Sequence, residues 1–196
     1  MRKALPIILV LVAIVMIGGC SYNGMNRARL EVDNKWADLQ SAYQRRADLI
    51  PNLVATVKGA AKFEQETYTG VALARAGQLK QAVNVSADQL DDAKIAEIQQ
   101  ANAQAGTAMR SAINIAVEAY PDLKATANFS GLQNQLEGTE NRINVSRNDY
   151  NGEVKNYNAK VTSFPGNLMA GIFGFKQRKM FDAAPGSENA PKVDFQ

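Results

Sequence analysis

The sequence predicts an all-α protein, a long antiparallel up-down-up-down four-helix bundle behind an N-terminal membrane segment. Three observations lead there. An uncharged apolar run from Ala4 to Cys20 follows Arg2 and Lys3. From Tyr22 to Phe164, apolar residues recur at steps of three and four, the spacing of one helix face. No alternating β-branched run bounded by hairpin turns interrupts them.

Residues 1–20 come first. At a rise of about 1.5 Å per residue the run covers about 25 Å, slightly short of a hydrocarbon core of about 30 Å. It reads as a lipoprotein-type signal peptide or as a retained signal anchor. Ile17-Gly18-Gly19-Cys20 resembles a bacterial lipobox, with Ile17 where Leu is more usual; cleavage before Cys20 would leave its thiol to carry lipid. Under either reading Arg2 and Lys3 stay on the cytoplasmic side and everything after Ser21 is exported.

Residues 21–164 form the predicted bundle. The first seam is Tyr22, Met25, Arg29, Val32, Trp36, Leu39, Tyr43, Arg46 and Ile50. Pro51 lacks an amide donor and restricts its predecessor, so this helix is expected to stop or kink between Asp48 and Pro51, with Asp48 capping the next. The second helix carries Leu53, Val54, Val57, Ala60, Ala61, Tyr68, Val71 and Ala74 and fades between Gly77 and Val83. After a loop from Asn84 to Asp88, with Ser86 as cap, the third runs to Tyr120 through Ile95, Ile98, Ala105, Met109, Ala112 and Ala116. The fourth places Phe129, Leu132, Leu136, Ile143, Tyr150, Val154, Tyr157, Val161 and Phe164 on one face and ends at Pro165-Gly166. Residues 165–181 are an apolar and basic segment, and 182–196 read as a flexible tail.

Composition narrows the chemistry. There is no His, which excludes histidine triads, dyads and metal sites within the chain. Cys20 is the single cysteine, so no internal disulfide forms. With 22 basic against 19 acidic residues, the chain lacks the dense cationic surface that nucleic-acid binding requires. No Gly-rich phosphate loop is present. Neither a cofactor nor a small-molecule substrate is expected.

Two long stretches carry a family likeness: YQRRADLIPNLVATVKGAAKFE (Tyr43 to Glu64) and LQNQLEGTENRINVSRNDYNGEVKNYN (Leu132 to Asn158), followed by FPGNLMAGIFGF. The chain resembles the LemA family over about Tyr22 to Phe181. The resemblance implies a mostly antiparallel helical bundle behind a membrane segment, with no established enzymatic activity. Phe63 stands where many relatives carry His, and Cys20 replaces a plain hydrophobic anchor. The family is often described with its N-terminus outside the cell; Arg2 and Lys3 argue for the opposite orientation here.

The residues singled out as an interaction or structural motif are Arg45, Arg46, Asp48, Pro51, Asn52, Glu64, Glu140, Asn141, Arg142, Tyr150 and Asn151. Lys58, Glu137 and Asp149 complete the charged set. Glu137 and Glu140 share a helix face and read either as salt-bridge partners or as an acid/base pair. A carboxylate-only metal site from Glu64 and Glu140 fails because the di-iron bundle plan needs Glu-x-x-His. Asn141, Asn144, Asn148, Asn151, Asn156 and Asn158 make the fourth helix rich in a mediocre helix former, as a solvated face or as a hydrogen-bonding surface. Phe173, Phe175, Lys176, Arg178 and Lys179 are candidate membrane contacts, the alternative being packing over the open end of the bundle.

The expected function is that of a membrane-tethered, exported scaffold or protein-interaction module without catalytic activity. Its partner would be another envelope protein or a second copy. The alternative is a carboxylate-dependent cell-envelope hydrolase.

Overall fold

The computed structural model describes the backbone of residues 4–60 and 66–182, and their side chains except at 4–17, 58–60, 66, 67 and 124. Five α-helices follow in order: α1 (Ala4–Ala60), α2 (Glu66–Ala82), α3 (Asp92–Ala119), α4 (Ala127–Thr162) and α5 (Gly166–Phe173). Short 3₁₀ turns at Ala87–Gln89 and Pro121–Ala125 lead into α3 and α4, and no strand occurs among the described residues.

The predicted break at Pro51 does not occur. α1 runs 57 residues straight through it. Proline in a helix interior removes one ladder hydrogen bond and costs about 3 kcal/mol. Here Pro51 is exposed, while Ala47, Ile50, Leu53, Val54 and Val57 around it are buried, and that burial offsets the loss. Asp48 therefore caps nothing; it pairs with Lys80 of α2 at 2.5 Å.

Because α2 begins only at Glu66, its helical phase restarts. The predicted stripe of Tyr68, Val71 and Ala74 faces outward, and Thr69, Ala72, Ala76 and Leu79 face the core instead. Ser86 introduces the 3₁₀ turn, its N–H bonded to the Gln89 side chain at 3.1 Å, whereas Asp91 caps α3 by accepting from the Lys94 amide at 2.7 Å. Thr126 caps α4 through the Phe129 amide. The apolar faces of α3 and α4 are buried as the spacing predicts, except that Phe164 lies outside α4 and is 81% exposed.

The main pairings are α1 with α4 and α2 with α3, with α2 also lying on α1. α1 and α4 run antiparallel, since Lys35 meets Asp149 and Arg46 meets Glu140. α1 and α2 do too: Gln40 donates to the Val83 carbonyl and Asp48 pairs with Lys80. Ala72, Ala76, Ala105, Ala112 and Ala116 are buried, and such small side chains let helix axes approach closely. No helix among the described residues is long and apolar enough to cross a membrane; the side chains of the run at 4–17 lie outside that description.

Beyond α4 the chain reverses. Gly174 takes φ +74°, a conformation that costs glycine nothing, and the Phe175 amide returns to the Ala170 carbonyl at 3.0 Å to close α5. Residues 175–182 then run extended along α4 as a strap.

Candidate functional site

Two constructions bring the sequence-predicted residues together. The first is built around Arg46. Steps of three and four on α3 align Gln99, Asn102, Gly106 and Arg110; on α4 they align Glu140, Asn144 and Arg147. α3 and α4 touch each other little, and Arg46 reaches from α1 into the slot between them. The result is a cavity of about 250 Å³ lined by these residues.

Arg46 is 4% exposed. Its Nη1 donates to Glu140 Oε2 at 2.6 Å and to Asn102 Oδ1 at 2.9 Å. A side chain at position 106 would collide with Arg46 Nη2, so glycine in mid-helix is what lets the guanidinium lie against α3. Burial pulls the Arg46 pKa down; Glu140 pulls it back up, while Arg110 and Arg147 lower it further. Burial likewise holds the Tyr43 phenol above its ordinary range against the opposing pull of Arg147 and Arg46.

The second construction is a ladder of side chains on α4 that grips the strap. Asn158 Nδ2 donates to the Arg178 carbonyl at 2.8 Å, and the Arg178 amide donates to Asn158 Oδ1 at 2.8 Å. Asn151 repeats this reciprocal pair on Phe181, again at 2.8 Å in both directions. Beside each asparagine a tyrosine adds a rung: Tyr157 donates to the Lys176 carbonyl at 2.8 Å and Tyr150 to that of Lys179 at 3.1 Å. Seven helical residues climb about 10.5 Å and three extended residues about 10 Å, so the two repeats stay in register.

Phe181 locks the strap. It is 3% exposed, stacks on Trp36 with centroids 6.0 Å apart and meets Tyr150 edge-on at 5.5 Å. The Trp36 indole N–H, in turn, donates to the Val85 carbonyl at 2.8 Å, which ties the same cluster to the loop before α3.

The sequence profile of the LemA family matches residues 35–195. The chain belongs to the LemA family. No curated protein matches it.

In this LemA-family chain the remaining predicted residues divide. Arg45, Asp48 and Arg142 line an open cleft with Asp38, apart from the Arg46 cavity. Asn52 and Asn141 are exposed, and the Asn52 carbonyl accepts from Thr56. Glu64, and the side chain of Lys58, lie outside the described residues. Of the proposed membrane contacts, Arg178 reaches Asp33 at 3.7 Å and Lys179 pairs with Asp92 at 2.8 Å, so the two cations face carboxylates of the protein itself. Phe175 packs edge-on against Tyr22 at 5.6 Å beneath Arg29, whereas Phe173 is 49% exposed. Lys176 is exposed and contributes its carbonyl to the ladder.

Sequence reasoning missed Asn102, Arg110, Arg147 and Phe181. One signal was available: Tyr-Asn occurs at 150–151 and again at 157–158, a repeat of the ladder's own period.

Proposed function

We propose that this protein is a non-catalytic scaffold or protein-interaction module of the bacterial cell envelope, tethered to a membrane by its N-terminus, with an antiparallel four-helix bundle on the periplasmic or exterior side. The observation that carries this reading is the α4 ladder. Its rungs bind main-chain atoms, so the surface accepts extended polypeptide and depends on side-chain identity mainly at the Phe181 anchor.

The tether rests on the sequence and on what surrounds Cys20. The Cys20 thiol is free and exposed. Next to it, Tyr22 packs on Phe173 at 5.0 Å, and Phe164, Leu168, Ile172 and Phe173 leave an apolar surface on and beside α5. Apolar side chains beside an anchor suit the headgroup region of a bilayer. The hydrolase reading draws no support from Glu140, which pairs with Arg46 rather than with a second carboxylate.

Peptide binding tests the module. A labelled peptide of residues 175–182 is titrated into full-length Phe181→Ala protein, whose own strap is weakened. Anisotropy should report binding that Asn151→Ala and Asn158→Ala remove; absence of binding sinks the peptide-groove reading. Intact mass tests the tether: a lipidated species beginning at Cys20 supports the lipoprotein form, and a chain retaining the apolar run supports the signal anchor. Turnover of peptidoglycan fragments, abolished by Glu140→Gln, would replace the module with the hydrolase.

A further inference from the structure

The Arg46 cavity is electrostatically unfinished. Three guanidinium groups, of Arg46, Arg110 and Arg147, line it against the single carboxylate of Glu140. Glu137 belongs to the adjoining cleft, which shares Arg46, Arg110 and Glu140 with the cavity. A Cβ placed at Gly106 would touch both Arg46 and Arg110, which puts the two cations within about 6 Å of each other, where like charges repel. No ion pair involves Arg110 or Arg147 among the described residues; Arg110 makes only a long 3.5 Å contact to the Thr107 hydroxyl.

Hydrogen bonding is unfinished too. Arg46 Nε, Arg147 Nε and the Tyr43 hydroxyl near them are buried with no hydrogen bond of good geometry among the described residues. A buried donor without an acceptor is destabilising, more so when it is charged. Gln99, Asn102 and Asn144 add amides around the same space. Convergent cations, orphaned donors and a void between them define a receptor for a group with several acceptor oxygens.

We propose that this cavity is an oxyanion-binding site, in which a phosphate or carboxylate group is held by Arg46, Arg110 and Arg147 and oriented by the surrounding amides. Free phosphate and an acidic side chain of a partner polypeptide supply the same chemistry. Planar guanidinium forks suit both, because each presents paired N–H donors. Glu140 opposes the bound anion and so tunes its affinity. The site is separate from the strap ladder and stands whether or not that surface binds peptide.

The full chain in neutral-detergent micelles is titrated with inorganic phosphate and with N-acetylglutamate amide at low ionic strength, with chloride as control. Binding is read by calorimetry and by the shift in thermal midpoint. At least one of the two should bind more tightly than chloride, and their ratio identifies the source. Arg110→Gln, a change at an exposed position, should weaken binding by about tenfold. Glu140→Gln should tighten it severalfold, and the bound anion should restore thermal stability lost with the carboxylate. The control Lys94→Gln, at a half-buried cation paired with Glu97 outside the cavity, should change nothing. If neither probe binds better than chloride, or if Arg110→Gln and Glu140→Gln leave affinity unchanged, the proposal falls and the cluster is a structural ion pair.

Discussion

The two ends of the α1–α4 pair are covered by different means. Toward Ala60, α1 is flanked by α2 and α4, and cohesion comes from aliphatic side chains such as Leu39, Ile50, Leu53, Leu79 and Ile98 with closely spaced alanines. Toward Tyr22, α2 and α3 no longer reach, and the strap of residues 175–182 lies where a further helix would pack. A helix satisfies its own main chain and needs only an apolar partner. An extended strand does not, so α4 must supply donors and acceptors to it. Polar residues on the strap side of α4 therefore hold extended chain through its main-chain atoms, in contrast to the apolar packing of the other end.

The largest effect expected from this contrast is at Phe181. Phe181→Ala should cost about 3–5 kcal/mol of strap docking. Trp36 is the only tryptophan, so its emission should shift to the red before the helices melt. Leu53→Ala, at the other end, should cost about 2–5 kcal/mol and lower the global thermal midpoint with no separate Trp36 transition. Identical melting behaviour in the two variants would show that strap and helices form one cooperative unit.

A smaller effect is tied to pH. Burial pushes the Tyr150 phenol up to about 12, with nearby Arg178 opposing. Folded, its pKa lies above the ordinary value of 10.0, so its contribution is complete below that pH and is lost as the pH rises toward about 12. The loss should amount to about 2–3 kcal/mol and should be absent in Tyr150→Phe. Stability curves between pH 9 and 12, measured on both proteins, check it (about the titration range of a phenol).

Asn158→Ala removes two main-chain partners at Arg178 and should cost about 1–3 kcal/mol, seen as faster amide exchange confined to the strap. Lys179→Ala should leave the midpoint unchanged, because its pair with Asp92 is exposed to solvent. A measurable loss there would mean that the strap depends on charge as well as on the ladder.

The difference between the two ends also explains what was legible in the sequence. Helix-on-helix burial leaves a period of three and four, and Met25, Val32, Trp36, Leu39, Tyr43 and Ile50 are all buried as that period predicts. Arg46 sat in the seam and is buried, but its partners Asn102, Arg110 and Arg147 come from helices whose relative rotation no single-helix pattern encodes. Pro51 misled because local propensity was outweighed by apolar contacts on both sides of it. The same error displaced the phase of α2, exposing Tyr68 and Val71. The sequence leaves residues 165–181 between membrane contact and packing over the open end of the bundle, because extended chain held by side chains has no periodicity of its own. Its trace lay in the receptor, in asparagines too numerous for a good helix.

The unbroken course of α1 from Ala4 to Ala60 has a geometric consequence. A continuous α-helix is an indexed shaft: each residue advances about 1.5 Å and turns about 100°. Adding or deleting one residue near its N-terminus changes both the height and the azimuth of everything the shaft carries. Position along α1 thus sets the direction in which the apolar α5 and the Arg46 cavity face relative to the helix's N-terminal end.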